Sequence, residues 1–173
     1  MEGRSLGSRG NDERGESREI GVNLETPHCA VRTLQQALHS KANRSPDYRF
    51  YLLYDKVYRK DVLAMAYERC RGNGGAPGID RQTVEDIEAS GRQRWLDELA
   101  ETLRTKTYRP QAVRRVFIPK ADGKQRPLGI PTITDRVVQM AAVLVLEPIF
   151  EADLQPEQYA YRARRSALDA VQH

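Results

Sequence analysis

The chain has 173 residues, with 28 Lys and Arg against 24 Asp and Glu, a net charge of +4 and 39% hydrophobic residues, which is material for one modest domain carrying a flexible tail. Two cysteines, Cys29 and Cys70, and three histidines, His28, His39 and His173, share no metal-ligand or nucleophile spacing. A disulfide framework, a zinc site and a Ser/His/Asp or Cys/His hydrolase are therefore not indicated, and a reducing, cytoplasmic setting is expected.

Residues 1–45 are rich in Gly, Arg, Glu and Ser, mix both charge signs and show no apolar period. They read as a mostly disordered polar tail. No apolar run follows Met1, so a secretory signal is not expected, and Glu2, Asp12, Glu13, Glu16 and Glu19 disfavour an Arg-rich transit peptide.

From about Pro46, Tyr51, Leu52, Tyr54, Val57, Tyr58, Val62, Leu63, Met65 and Tyr67 recur at helical intervals, and Gly72 closes the run. Core packing is the expected use of these tyrosines, with base stacking as the alternative. The stretch NGGAPGID, residues 73–80, places three glycines and a proline within eight residues. It reads as a loop and a plausible lid, and it lacks the Gly-Lys-Ser/Thr of a Walker-type phosphate loop. Helices are expected over residues 83–90 and 92–107, the second with Trp95, Leu96, Leu99 and Leu103 on one face and stopped at Tyr108-Arg109-Pro110.

Eight Lys and Arg lie within residues 104–126 against one acid, Asp122. Such a concentration is the footprint of a surface that holds phosphates. Within it, VRRVFIPK and RPLGIP flank ADGKQ, and Asp122-Gly123 marks a turn between two β-prone runs, so a basic two-stranded hairpin is expected. The alternative use of its lysines is to protect an exposed edge from aggregation.

Thr132-Ile133-Thr134-Asp135 has the form of a capping box, and the apolar residues that follow cover nearly the whole circumference of a helix. Burial on most sides is expected, with any exposed part a docking face. Arg136 and Gln139 at its start read as structural salt-bridging residues or as nucleic-acid contacts. The longest apolar stretch, residues 137–146, is half of the roughly 20 residues a membrane-spanning helix needs, so no membrane partner is expected.

IPK, RPLGIPT, DRVVQ and LEPIFE, in this order and spacing, resemble the first conserved block of group II intron reverse transcriptase/maturases. NGGAPGID and RWLDELAETLRTKTYRPQAVRR are similar to that family's N-terminal extension. QYAYRARRSALDAVQH is similar to the start of its second block, where Ala160, Tyr161, Ala163 and Arg164 depart from the common form. Ala163-Arg164 in place of Pro-Gly alters a turn. The resemblance covers residues 48–173.

It implies an α+β fold, mostly helical with a basic β-hairpin, forming the fingers part of a right-hand polymerase with an incomplete palm. The implied division is a tail at 1–45, a helical extension at 46–110 and a truncated reverse transcriptase domain at 111–173. Lys120 and Arg126, with Arg114 as a third candidate, are expected to meet the phosphates of a deoxynucleoside triphosphate. Arg115, Lys124, Arg162, Arg164 and Arg165 are expected to follow the nucleic-acid backbone.

Gly74, Gly75 and Gly78 bring backbone N–H groups near phosphates in the same expectation; its alternative is a plain turn with Gly78 at positive φ. The family's catalytic carboxylates hold Mg2+ and fall beyond His173, so the chain alone is expected to be inactive and to bind no metal. Group II intron RNA, an RNA/DNA template-primer and a separately encoded palm and thumb are the implied partners. A free-standing RNA-binding module and an inactive remnant are the competing readings.

Overall fold

The computed structural model describes residues 27–121, 123–160, 162 and 165–172. In chain order the elements are α1 (Pro27–Arg44), α2 (Tyr54–Val57), α3 (Lys60–Asn73), α4 (Val84–Ser90), α5 (Arg92–Arg104), β1 (Arg114–Pro119), β2 (Gln125–Ile130), α6 (Ile133–Asp153) and α7 (Ala167–Gln172). The fold is α+β, mostly helical with one antiparallel two-stranded sheet.

The core forms where α1, α3 and α6 meet. Helix α6 starts as its sequence indicates: Thr132 is the N-cap, and its hydroxyl accepts the Asp135 N–H at 3.0 Å. Ile133, Val137, Ala141, Leu144 and Val145 of α6 are buried against Val62, Leu63 and Ala66 of α3 and Val31 and Leu38 of α1. Each large aliphatic side chain so enclosed contributes about 1.5–3 kcal/mol. The apolar circumference is not fully covered, because Val143, Leu146 and Phe150 stay exposed.

Helix α1 overturns the expected disordered tail over residues 27–44. Val31, Leu38 and Ala42 are buried and Leu34 packs against them, a stripe at i, i+3, i+7 and i+11. The polar composition of the preceding residues hides this stripe when the segment is averaged as a whole. Residues 1–26 lie outside the described residues.

One hydrogen bond explains how α1 is seated. Pro148 inside α6 has no N–H to give to the Leu144 carbonyl four residues earlier. Gln35 of α1 supplies the missing donor, with Nε2 at 2.9 Å from the Leu144 oxygen. His39 Nδ1 lies 3.0 Å from the Pro148 carbonyl, and since that oxygen can only accept, Nδ1 carries the proton.

Three helix boundaries differ from expectation. The single helix foreseen from Tyr51 is divided at Tyr58 and Arg59, where Arg59 is extended and pairs with Asp61 at 2.6 Å. The Asp61 carboxylate also accepts the Val62 N–H, opening α3. Gly72 is inside α3, and Gly74, at φ 62°, ends it. Helix α5 stops at Arg104, short of the expected Thr107: Lys106 takes φ 59°, and the Thr107 and Tyr108 N–H groups both turn back to the Thr102 carbonyl. Helix α4 begins with the reciprocal Thr83–Asp86 capping box.

Candidate nucleic-acid interface

The hairpin register sets the geometry. Arg114 faces Ile130, Val116 faces Leu128 and Ile118 faces Arg126; Arg115 faces Gly129, Phe117 faces Pro127 and Pro119 faces Gln125. Beyond the last pair, the Lys120 N–H donates to the Lys124 carbonyl at 2.7 Å, and Gly123 turns at φ 79°. Asp122, the first half of the expected turn signal, is outside the described residues.

Since side chains alternate along a strand and cross-strand partners share a face, Arg114, Lys120, Lys124 and Arg126 occupy register positions on one face. Arg115 falls on the other, with Phe117. Lys120 and Arg126 are diagonal neighbours near the turn. Arg114 lies about 13 Å along the strand from the level of Arg126, which faces Ile118, and about 20 Å from that of Lys120.

Charge is left open on this face. Among the described residues, Lys120 and Arg126 have no carboxylate partner, nor does Arg115 on the other face, and all three are exposed. Arg114 is half-buried, and its Nε is enclosed without a hydrogen-bond acceptor. Like charges held on one short hairpin repel each other, and a polyanion relieves that repulsion.

At its base the hairpin feeds into a tightly hydrogen-bonded junction. Asp135 is only 3% exposed, and its carboxylate accepts from Tyr108 Oη, from the Gln111 N–H at 3.2 Å and from the Thr132 hydroxyl at 2.8 Å. It thereby fixes the strand-entry segment to the N-terminus of α6. Burial, and then the bond to Asp135, push the Tyr108 phenol well above its ordinary pKa. Asp135 and Tyr108 are 27 residues apart, and no spacing rule pairs them in the sequence.

The glycine loop is docked on the same junction. Arg136 donates through Nη1 to the Gly74 carbonyl at 3.4 Å and through Nη2 to the Ala76 carbonyl at 2.5 Å. It bonds backbone carbonyls in place of the expected salt bridge. Gly74 and Gly75 take positive φ, whereas Gly78 does not. Gly78 is needed for another reason: a Cβ there would stand 2.6 Å from Thr132 Cα and 2.7 Å from Thr132 N. The expectation of a Gly78 turn at positive φ is thus corrected to a close backbone approach, and Arg81 takes φ 59° instead.

No protein-family model matches the chain. Over 143 residues it is 34% identical to Protein YkfC of Escherichia coli, covering 82% of this chain and 37% of that protein. Over 137 residues it is 31% identical to Group II intron-encoded protein LtrA of Lactococcus lactis, covering 79% of this chain and 22% of that protein. Over 113 residues it is 27% identical to the Putative COX1/OXI3 intron 1 protein of Saccharomyces cerevisiae, covering 64% of this chain and 13% of that protein. This chain belongs with the group II intron-encoded proteins. It spans well under half the length of these curated relatives.

The remaining cations expected to contact nucleic acid follow α6. Arg162, with its side chain 11% exposed, pairs with Glu151 at 2.5 Å and donates to the Gln155 and Gln158 carbonyls. Its fork closes the segment back onto α6. Arg165 is exposed, donates to the Pro156 carbonyl at 2.6 Å and lies over the Tyr159 ring at 5.0 Å. Arg164 lies outside the described residues, as do Tyr161, Ala163 and His173.

A cavity of about 290 Å³ is lined by Trp95, Thr102, Tyr108, Arg109 and Asp135 among others. It includes none of the hairpin cations. Among the described residues no group of three or more His, Cys, Asp or Glu could hold a metal ion, and no helix is long and apolar enough to cross a membrane. The Mg2+ implied for the family finds no donor set among the described residues.

Proposed function

We propose that this chain is the RNA- and nucleotide-engaging part of a group II intron-encoded reverse transcriptase/maturase, its hairpin acting as the fingers of a right-hand polymerase. The observation that carries the reading is the register, with Lys120 and Arg126 as diagonal neighbours on one hairpin face and without acid partners among the described residues. Phosphate oxygens suit both: Lys gives a point charge and Arg a planar fork. Their proximity fits one triphosphate, while Arg114 at the far end of the face fits a separate phosphate, with Lys124 adding charge near the turn.

Arg115 and Arg165 fit contacts to the strand backbone, which add salt-dependent affinity without sequence choice. Arg162 serves as an anchor for that segment rather than as a contact. The glycine loop, held by Arg136 against the hairpin base, is suited to lie beside the template-primer. Polymerisation would draw its carboxylates and Mg2+ from sequence outside this chain, in the same polypeptide or in a separate one. Intron RNA, held by the same cations, is the substrate of the splicing role.

In a longer protein that contains this segment and the palm, Lys120→Ala with Arg126→Ala is expected to lower nucleotide incorporation at least tenfold, about 1.4 kcal/mol of transition-state stabilisation, with primer-template affinity unchanged. Equal loss of affinity and incorporation would move these residues from the triphosphate to the nucleic-acid backbone.

A further inference from the structure

The surface between α1 and α2 has features that nothing in the hairpin uses. Residues 49–53 have no regular secondary structure, and Tyr51 and Leu52 are 81% and 79% exposed. The tyrosines of this region were expected in the core. Tyr67 is there, at 1% exposed, but Tyr51 is not.

Beside it, Tyr48 is built as a platform. Its ring meets Phe50 edge-on, with centroids 5.0 Å apart and planes at 86°, and the Lys41 ammonium sits 4.1 Å from its centroid. Phe50 in turn packs on the core, so the platform is anchored. Arg44 and Arg49 are exposed and have no acid partner among the described residues, and Asp47 is the one acid within residues 41–53.

Open aromatic rings interleaved with uncommitted cations match an unpaired nucleic-acid strand, whose bases stack while its phosphates meet the charges. A duplex keeps its bases stacked inside and has no use for the rings. We propose that residues 41–52 form a second nucleic-acid contact, in which Tyr51 and Tyr48 stack unpaired bases and Arg44 and Arg49 hold the adjoining phosphates. The inference rests on the nucleic-acid reading above and adds to it a surface and a strand type.

The test uses the 173-residue chain and an unstructured single-stranded RNA oligonucleotide bearing one fluorescent base analogue. Tyr51→Ala is expected to weaken binding about tenfold and to abolish the stacking quench of the analogue, while Tyr51→Phe keeps both. Arg44→Ala with Arg49→Ala should flatten the salt slope by about 1.4, at roughly 0.7 per single-strand phosphate contact. Exposure of Tyr51 makes unfolding by its replacement unexpected, and a thermal melt of each variant checks this.

Unchanged binding and quench in Tyr51→Ala, or equal competition by a duplex of the same length, would overturn the inference. Lys120→Ala with Arg126→Ala, titrated in parallel, separates the two readings. Binding lost there and retained in Tyr51→Ala refutes only this second surface. A wild-type chain with no salt-dependent binding refutes both.

Discussion

Asp135 shows how one side chain orders a region that its own sequence neighbours do not explain. Three donors converge on its buried carboxylate from Tyr108, Gln111 and Thr132. Asp135→Ala would leave those donors without an acceptor, and a loss of about 3 kcal/mol is expected in a urea melt, at roughly 1–3 kcal/mol per unsatisfied buried group. Gly78→Ala is expected to cost about 1–3 kcal/mol as overpacking against the Thr132 backbone, measured the same way.

The tyrosines also set an alkaline limit. Burial, and then the hydrogen bond to Glu88, push the Tyr67 phenol from 10.0 up to about 12. A raised pKa means that the fold favours the protonated phenol, so this stabilisation is complete below about pH 10 and is lost as pH rises toward about 12. Tm should fall across that window, and Tyr67→Phe should make the fall shallower. A Tm flat to pH 12 would contradict the buried environment of this ring.

Among the elements, the hairpin and α6 were legible because their signals are local. Alternation and Gly123 mark the hairpin, and Thr132 marks the helix start. The faces of the hairpin follow from the same alternation, with Arg114, Val116, Ile118 and Lys120 at register positions on one side. Helix α1 was not legible, since its apolar stripe is thin and its partner, α6, is about a hundred residues away.

The break at Arg59 and the end of α5 were also missed. The first depends on a side-chain pair with Asp61 and the second on Thr102 accepting two backbone N–H groups, and neither leaves a Gly or Pro at the point of change. Of the candidate site, Lys120, Arg126 and Arg114 could be read from motif and charge. That Arg162 binds Glu151, and that Arg136 holds the glycine loop, depends on tertiary contacts between distant residues. The Gln35 bond to Leu144 is a test at this scale: Gln35→Leu should cost about 1–3 kcal/mol by leaving the carbonyl above Pro148 without a donor.

In the whole molecule, one core joins residues from Val31 to Val145, so the expected division near residue 110 does not separate two packing units. The helices bury each other, whereas the strands chiefly pair with one another. The helical body thus carries a basic hairpin on which, among the described residues, Lys120, Arg126 and Arg115 have no carboxylate partner. A polyanionic partner for that hairpin is the proposal made above, and the share of its relatives covered by this chain is small.

The most direct test is a titration of the 173-residue chain with intron-derived RNA across a range of salt concentrations, on samples shown to melt cooperatively. Wild-type binding should weaken linearly in log salt, and Arg114→Ala, Lys120→Ala and Arg126→Ala combined should flatten that slope by about two to three units on duplex segments of the intron RNA, near one per phosphate contact. A folded triple variant with the wild-type slope and affinity would contradict the hairpin as the phosphate-binding face.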